Sequence, residues 1–100
     1  MEDLIKSIEI EWEFENGFLW KVRQGQFDPV DFERTRKKLQ SLMIDETENL
    51  PRRLVSILWY MPLFLSWQTK RVREAGGDIE SYARAVSSIT NEVERILGTP

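Results

Sequence analysis

The clearest pattern of apolar and polar positions lies toward the C-terminal end of the chain. Apolar residues recur there at steps of three and four, which predicts an amphipathic helix over residues 79–97. Asp78 is well placed to cap the start of this helix, and Gly98 followed by Pro100 would end it. The residues expected to face the core are Ile79, Tyr82, Ala83, Val86, Ile89, Val93, Ile96 and Leu97.

A second stretch, residues 54–65, is apolar on every side of a helix. Such an element is typical of the centre of a helical protein, so we expect the other elements to surround it. Pro51 suits its first turn, Pro62 is expected to kink or split it, and Gly76 and Gly77 would end it. The apolar run is too short for a membrane span, which needs about 20 residues, and we therefore expect no membrane partner.

Residues 28–44 predict a third helix, with Asp28 as the N-terminal cap and Pro29 in the first turn. A short acidic loop should follow over residues 45–49. The residues expected to face inward are Val30, Phe32, Leu39, Leu42 and Met43.

The N-terminal segment fits two different structures. Apolar residues at positions 8, 10, 12 and 14 alternate with glutamates, and Asn16-Gly17 follows, which is typical of a β-hairpin. A continuous helix that ends at Gly25 is also possible, because one helical face is marked by Ile5, Ile8, Trp12, Leu19 and Val22. An intermediate arrangement would let Asn16 cap a short helix that begins at Gly17.

These elements together predict a mainly α protein, a compact helical bundle around a buried central helix, folded as a single domain over residues 1–100. The alternative is an α+β fold with an N-terminal hairpin at about residues 8–23.

Composition narrows the chemistry. The chain has no histidine and no cysteine, so it lacks the side chains that most often act as acid, base, nucleophile or transition-metal ligand near neutral pH. We therefore expect a protein that is not an enzyme, with no catalytic residue, metal site or cofactor. The lack of cysteine and the acidic start MEDLIKSIEIE favour a cytoplasmic location.

Three segments carry a resemblance to a known group of proteins: ENGFLWKVRQGQFD, RLVSILWYMPLFLSWQ and the ending NEVERILGTP. With them the chain resembles the small cytoplasmic immunity proteins encoded beside bacterial polymorphic or contact-dependent toxins. The resemblance implies a helical fold and inhibition of a cognate toxin by direct binding, without catalysis.

Clustered carboxylates would give such a protein a means of binding. A nuclease toxin carries a basic cleft for phosphates, and an inhibitor that covers the cleft needs complementary negative charge. The same carboxylates would equally serve to keep a helix soluble. The predicted partner-binding residues are Glu9, Glu11, Trp12, Glu13, Glu15, Asp45, Glu46 and Glu48.

Two other functions stay open at this point. Basic residues cluster at positions 34–38 and 70–73 and could bind a nucleic acid, although the formal net charge of −3 argues against a general nucleic-acid binder. Aromatic residues such as Trp20, Phe27 and Trp67, if exposed, could instead form a homodimer or a structural or adaptor contact.

Overall fold

The computed structural model describes residues 1–45 and 47–100. Within these residues the backbone forms helices and no strand. The prediction of a mainly α bundle is confirmed, and the hairpin alternative is wrong. The helices are α1 (Glu2–Glu13), α2 (Phe18–Arg23), α3 (Pro29–Gln40), α4 (Arg52–Trp67), α5 (Thr69–Glu74) and α6 (Ile79–Leu97).

The N-terminal segment forms two helices joined by a tight turn. Ile5 and Ile8 enter the core from α1, and α2 buries Phe18, Leu19 and Val22. The turn requires a glycine at position 17, since a Cβ there would lie 2.5 Å from the main-chain oxygen of Glu11. Gly17 is also the N-cap residue of α2, the position that the sequence assigned to Asn16. The Asn-Gly pair therefore separates two helices where a hairpin turn was the alternative.

Helix α4 runs through Pro62 without interruption, so the predicted split at that residue is wrong. Leu58, Met61 and Leu65 are fully buried on either side of the proline, and this packing outweighs the loss of one backbone donor. The chain breaks instead at Gln68, between α4 and α5.

Helix α6 is the principal neighbour of α4, and its bounds match the prediction. Asp78 caps it by accepting a hydrogen bond from the Ser81 amide at 3.1 Å, and Gly98 ends it with φ of 84°. The Tyr82 hydroxyl donates to the main-chain oxygen of Leu65, which fixes the two helices against each other. One inward residue was assigned wrongly, because Ala85 is buried and Ala83 is exposed.

Helix α3 begins as predicted, with the Asp28 carboxylate accepting from the Val30 amide at 2.9 Å. Two of the residues expected to face inward do not, since Val30 is 73% exposed and Met43 is 83% exposed. Val30 lies one position off the buried stripe, and Met43 follows the end of the helix at Gln40, where the helical period no longer applies.

The buried apolar side chains form one core to which α1, α2, α3, α4, α5 and α6 all contribute. The Cα positions span 43 × 28 × 19 Å, and the shortest dimension leaves room for about two layers of helices. In a two-layer bundle each helix keeps one side toward water. The expectation that the other elements surround α4 is therefore wrong, and its outer side is exposed at Trp59, Leu63 and Trp67.

Candidate functional site

The structure places one of the predicted partner-binding carboxylates, Glu11, inside the protein. Its side chain is 1% exposed. Arg34 donates to both of its oxygens, at 2.9 and 2.7 Å, and Lys38 donates to Oε2 at 2.7 Å. The Phe18 amide, at the open start of α2, donates to Oε1 at 2.9 Å. Glu11 therefore joins α1, α2 and α3 from within and offers no surface to a partner, because a helix turns it toward the core.

The Glu11 carboxyl group remains ionised at neutral pH despite its burial. Burial raises the pKa of a carboxyl group, but the hydrogen bonds from Arg34, Lys38 and the Phe18 amide outweigh burial and lower the Glu11 pKa to about 2. The hydrogen bond with Glu11 in turn raises the pKa of Arg34 above its usual value. Arg34 also bonds Asp31 at 2.9 Å, so the network continues along α3.

The basic residues of α3 are largely engaged inside the molecule. Arg34 and Lys38 bind Glu11, and Arg36 pairs with Glu33 on the same helix. A guanidinium or ammonium group held by a carboxylate has less to offer a phosphate. The basic cluster at positions 34–38 thus stabilises the fold. Its paired cations leave less positive charge with which to bind a nucleic acid.

The other predicted carboxylates of the N-terminal segment lie at the surface. Glu9 and Glu13 extend from α1 toward Arg53 at the start of α4, with N–O distances of 2.8 and 3.6 Å. Glu15 is exposed in the turn between α1 and α2. Glu9 and Glu13 consequently border α4, while Glu11, between them in the chain, points the other way.

The acidic loop contributes two described residues, Asp45 and Glu48, which are both exposed. Each accepts a backbone hydrogen bond within the loop: Asp45 from the Thr47 amide and Glu48 from the Asp45 amide, both at 3.0 Å. These bonds shape the turn that leads into α4. Glu46, the third predicted residue of this loop, lies outside the described residues.

The most prominent exposed feature lies on α4, and the sequence indicated only one of its residues, Trp67. Trp59 and Trp67 are 53% and 59% exposed on α4, with Leu63 between them. We call Trp59, Tyr60, Leu63 and Trp67, together with Trp12 of α1, the aromatic face. A signal for it was present, because Ser56 and Ser66 follow the same helical stripe as Trp59 and Leu63 at steps of three and four.

The rings of the aromatic face support one another. Tyr60 is central, with its ring centroid 5.6 Å from Trp59, 5.8 Å from Trp67 and 6.0 Å from Trp12. Trp12 also meets Phe64 edge-on at 5.0 Å. Trp12, a predicted partner-binding residue, is half-buried and supports Tyr60, whereas the two tryptophans of α4 present more of their surface to water.

The described residues contain no cluster of three or more acidic side chains arranged to hold a metal ion. Across residues 1–45 and 47–100, every helix is too short or too polar to cross a membrane. Comparison of the chain with models of known protein families, with curated protein sequences and with solved structures found no match.

Proposed function

We propose that this chain is a non-catalytic protein-binding module that contacts its partner through the aromatic face. The observation that carries the proposal is the exposure of Trp59 and Trp67 beside residues of α4 that are fully buried, such as Leu58 and Leu65. Neither tryptophan belongs to the buried core. Their large apolar surfaces thus remain in water in the free protein. Burial of these surfaces by a partner would stabilise the complex.

A protein partner suits this surface better than a small ligand does. Tryptophan dominates the energetic centres of protein interfaces, where it is surrounded by a polar rim. Here Glu9 and Glu13 with Arg53 form one side of such a rim. Pre-packing of Trp59 and Trp67 against Tyr60 supports the proposal further, because ordered side chains lose less entropy on binding.

The narrower role we propose is that of a bacterial immunity protein, which neutralises a cognate toxin domain by direct binding. The resemblance noted in the sequence supports this role. The exposed carboxylates Glu9, Glu13, Glu15, Asp45 and Glu48 support it as well, because they would complement a basic cleft such as that of a nuclease toxin.

The genomic setting tests the narrower role. The gene immediately upstream should encode a large secreted protein with a variable C-terminal toxin domain. Co-expression of this chain should restore growth to cells that produce the toxin domain. An upstream gene of unrelated kind, or unchanged toxicity when the chain is present as folded protein, would contradict the immunity role.

The aromatic face is tested by the double variant W59A/W67A. With the isolated toxin domain as partner, calorimetry should show an affinity at least about 100-fold lower, since an interface tryptophan contributes about 2 kcal/mol or more. The matched control is V30A/M43A, which removes two apolar side chains that are even more exposed but lie on α3 and in the loop after it. The control should change affinity by less than about threefold. Equal effects of the two double variants would refute the assignment of the face.

A further inference from the structure

A cavity of about 400 Å³ opens beside the aromatic face, where α1, α2 and α4 meet. The residues that line it include three aromatic residues and two arginines: Trp12, Trp59, Tyr60, Arg23 and Arg53. The cavity therefore combines aromatic walls with two positive charges.

Of the two arginines that line this cavity, one has an acidic partner among the described residues and the other has none. The Nε1–H group of Trp12 is buried and has no acceptor among the described residues. The Arg23 guanidinium lies over the Phe64 ring, 5.4 Å from its centroid, and forms no ion pair with the part of the chain that the structure describes. Arg53 is partly engaged, because Glu9 and Glu13 approach it from α1. The Arg23 guanidinium is therefore available to donate hydrogen bonds to an acceptor that enters the cavity from solvent.

We propose that this cavity receives the carboxylate of an aspartate or glutamate side chain from the partner protein. A carboxylate has only acceptor atoms, and it can take two parallel hydrogen bonds from a guanidinium. The inference rests on the proposed protein-binding function and adds the chemistry of one contact within it.

The charges around the cavity favour a single carboxylate over a polyanion. Glu9 and Glu13 stand next to Arg53 at its edge, and the chain carries a formal net charge of −3. A nucleic acid or an anionic membrane brings many negative charges, and these would be repelled by the two glutamates. One acidic side chain on an otherwise neutral or basic protein surface avoids most of that repulsion. The partner surface we infer is thus basic opposite Glu9 and Glu13, with an acidic residue that enters the cavity.

Propionate, the side-chain analogue of glutamate, tests the cavity without knowledge of the partner. In two-dimensional ¹H–¹⁵N NMR spectra, the four tryptophans give four indole N–H signals. Increasing propionate should shift the Trp12 signal in a saturable way, while propionamide and sodium chloride at equal ionic strength should not. A Trp12 signal that does not respond to propionate would overturn the inference.

The variant R23Q identifies the positive charge that contributes most. R23Q should weaken propionate binding at least fivefold. The control R84Q replaces a different exposed arginine, on α6, and should leave propionate binding unchanged. Equal weakening by both would indicate a general charge effect and overturn the inference. Stronger saturation of the same signal by inorganic phosphate or by phosphatidylglycerol vesicles would do so as well. If propionate fails while W59A/W67A still abolishes toxin binding, the cavity assignment falls and the proposed function stands.

Discussion

Replacement of Glu11 by glutamine is expected to destabilise the protein by about 3 kcal/mol at pH 7. The Glu11 pKa is about 2 in the folded protein against an ordinary value of 4.5, and each pKa unit corresponds to about 1.4 kcal/mol. Breaking a buried ion pair costs about 3–5 kcal/mol. We expect the lower end of that range, since Arg34 and Lys38 are partly exposed and water can solvate them once the carboxylate is gone.

The pH dependence follows from the sign of the pKa shift. Because the pKa of Glu11 is lower in the folded protein than in the unfolded chain, its contribution is complete above pH 4.5 and is lost as the pH falls toward 2. Urea unfolding followed by far-ultraviolet circular dichroism should therefore show a gap of about 3 kcal/mol between wild type and E11Q at pH 7. That gap should close progressively below pH 4.5.

The matched control is E13Q, on the same helix, where the side chain is 56% exposed. This change should alter the free energy of unfolding by less than about 1 kcal/mol. A wild-type stability equal to that of E11Q at pH 7 would refute the reasoning about Glu11. A gap between the two proteins that is independent of pH would show that lost packing, and not the carboxylate charge, causes the destabilisation.

Three further changes test the packing of the fold by urea unfolding at pH 7. G17A should lower the free energy of unfolding by about 2 kcal/mol or more, because the added Cβ would overlap main-chain atoms of α1. N16A, in the same turn, should lower it by less than about 1 kcal/mol. Equal losses would contradict the close approach of Gly17 to α1. D78A should lower the free energy of unfolding by about 1 kcal/mol, because it removes the cap of α6. D78N should retain most of the stability, since an asparagine side chain can still accept the hydrogen bond from the Ser81 amide. Equal losses in the two variants would exclude capping as the cause. Y82F should cost about 1–2 kcal/mol, because it removes the buried bond to the Leu65 oxygen, and an unchanged stability would show that this bond contributes nothing.

The N-terminal segment shows why local pattern failed to choose between strand and helix. Ile8 and Trp12 fit both periods, and Asn16-Gly17 fits a hairpin turn as well as a break between helices. The position of Glu11 in the folded protein distinguishes the two structures. A helix turns its carboxylate toward Arg34 and Lys38, which lie more than 20 residues away in the chain, and this pairing cannot be read from nearby residues.

The sequence likewise indicated some residues of the candidate site and missed others. Glu9, Glu13 and Trp12 were predicted from charge and aromatic content, and they border the aromatic face. Trp67 was named from the sequence as a contact residue if exposed, whereas Trp59 was missed, because within residues 54–65 only Ser56 marks the side that meets water.

The sequence by itself determined the helical character of the chain after the N-terminal segment, the bounds of α6, and the caps of α3 and α6. These features depend on side chains within a few residues of each other. The tertiary structure alone decided which side of α4 meets water and which glutamate is buried. Both outcomes depend on the number of helix layers available to cover each surface and on ion pairs between distant segments, and such contacts exist only once the chain has folded.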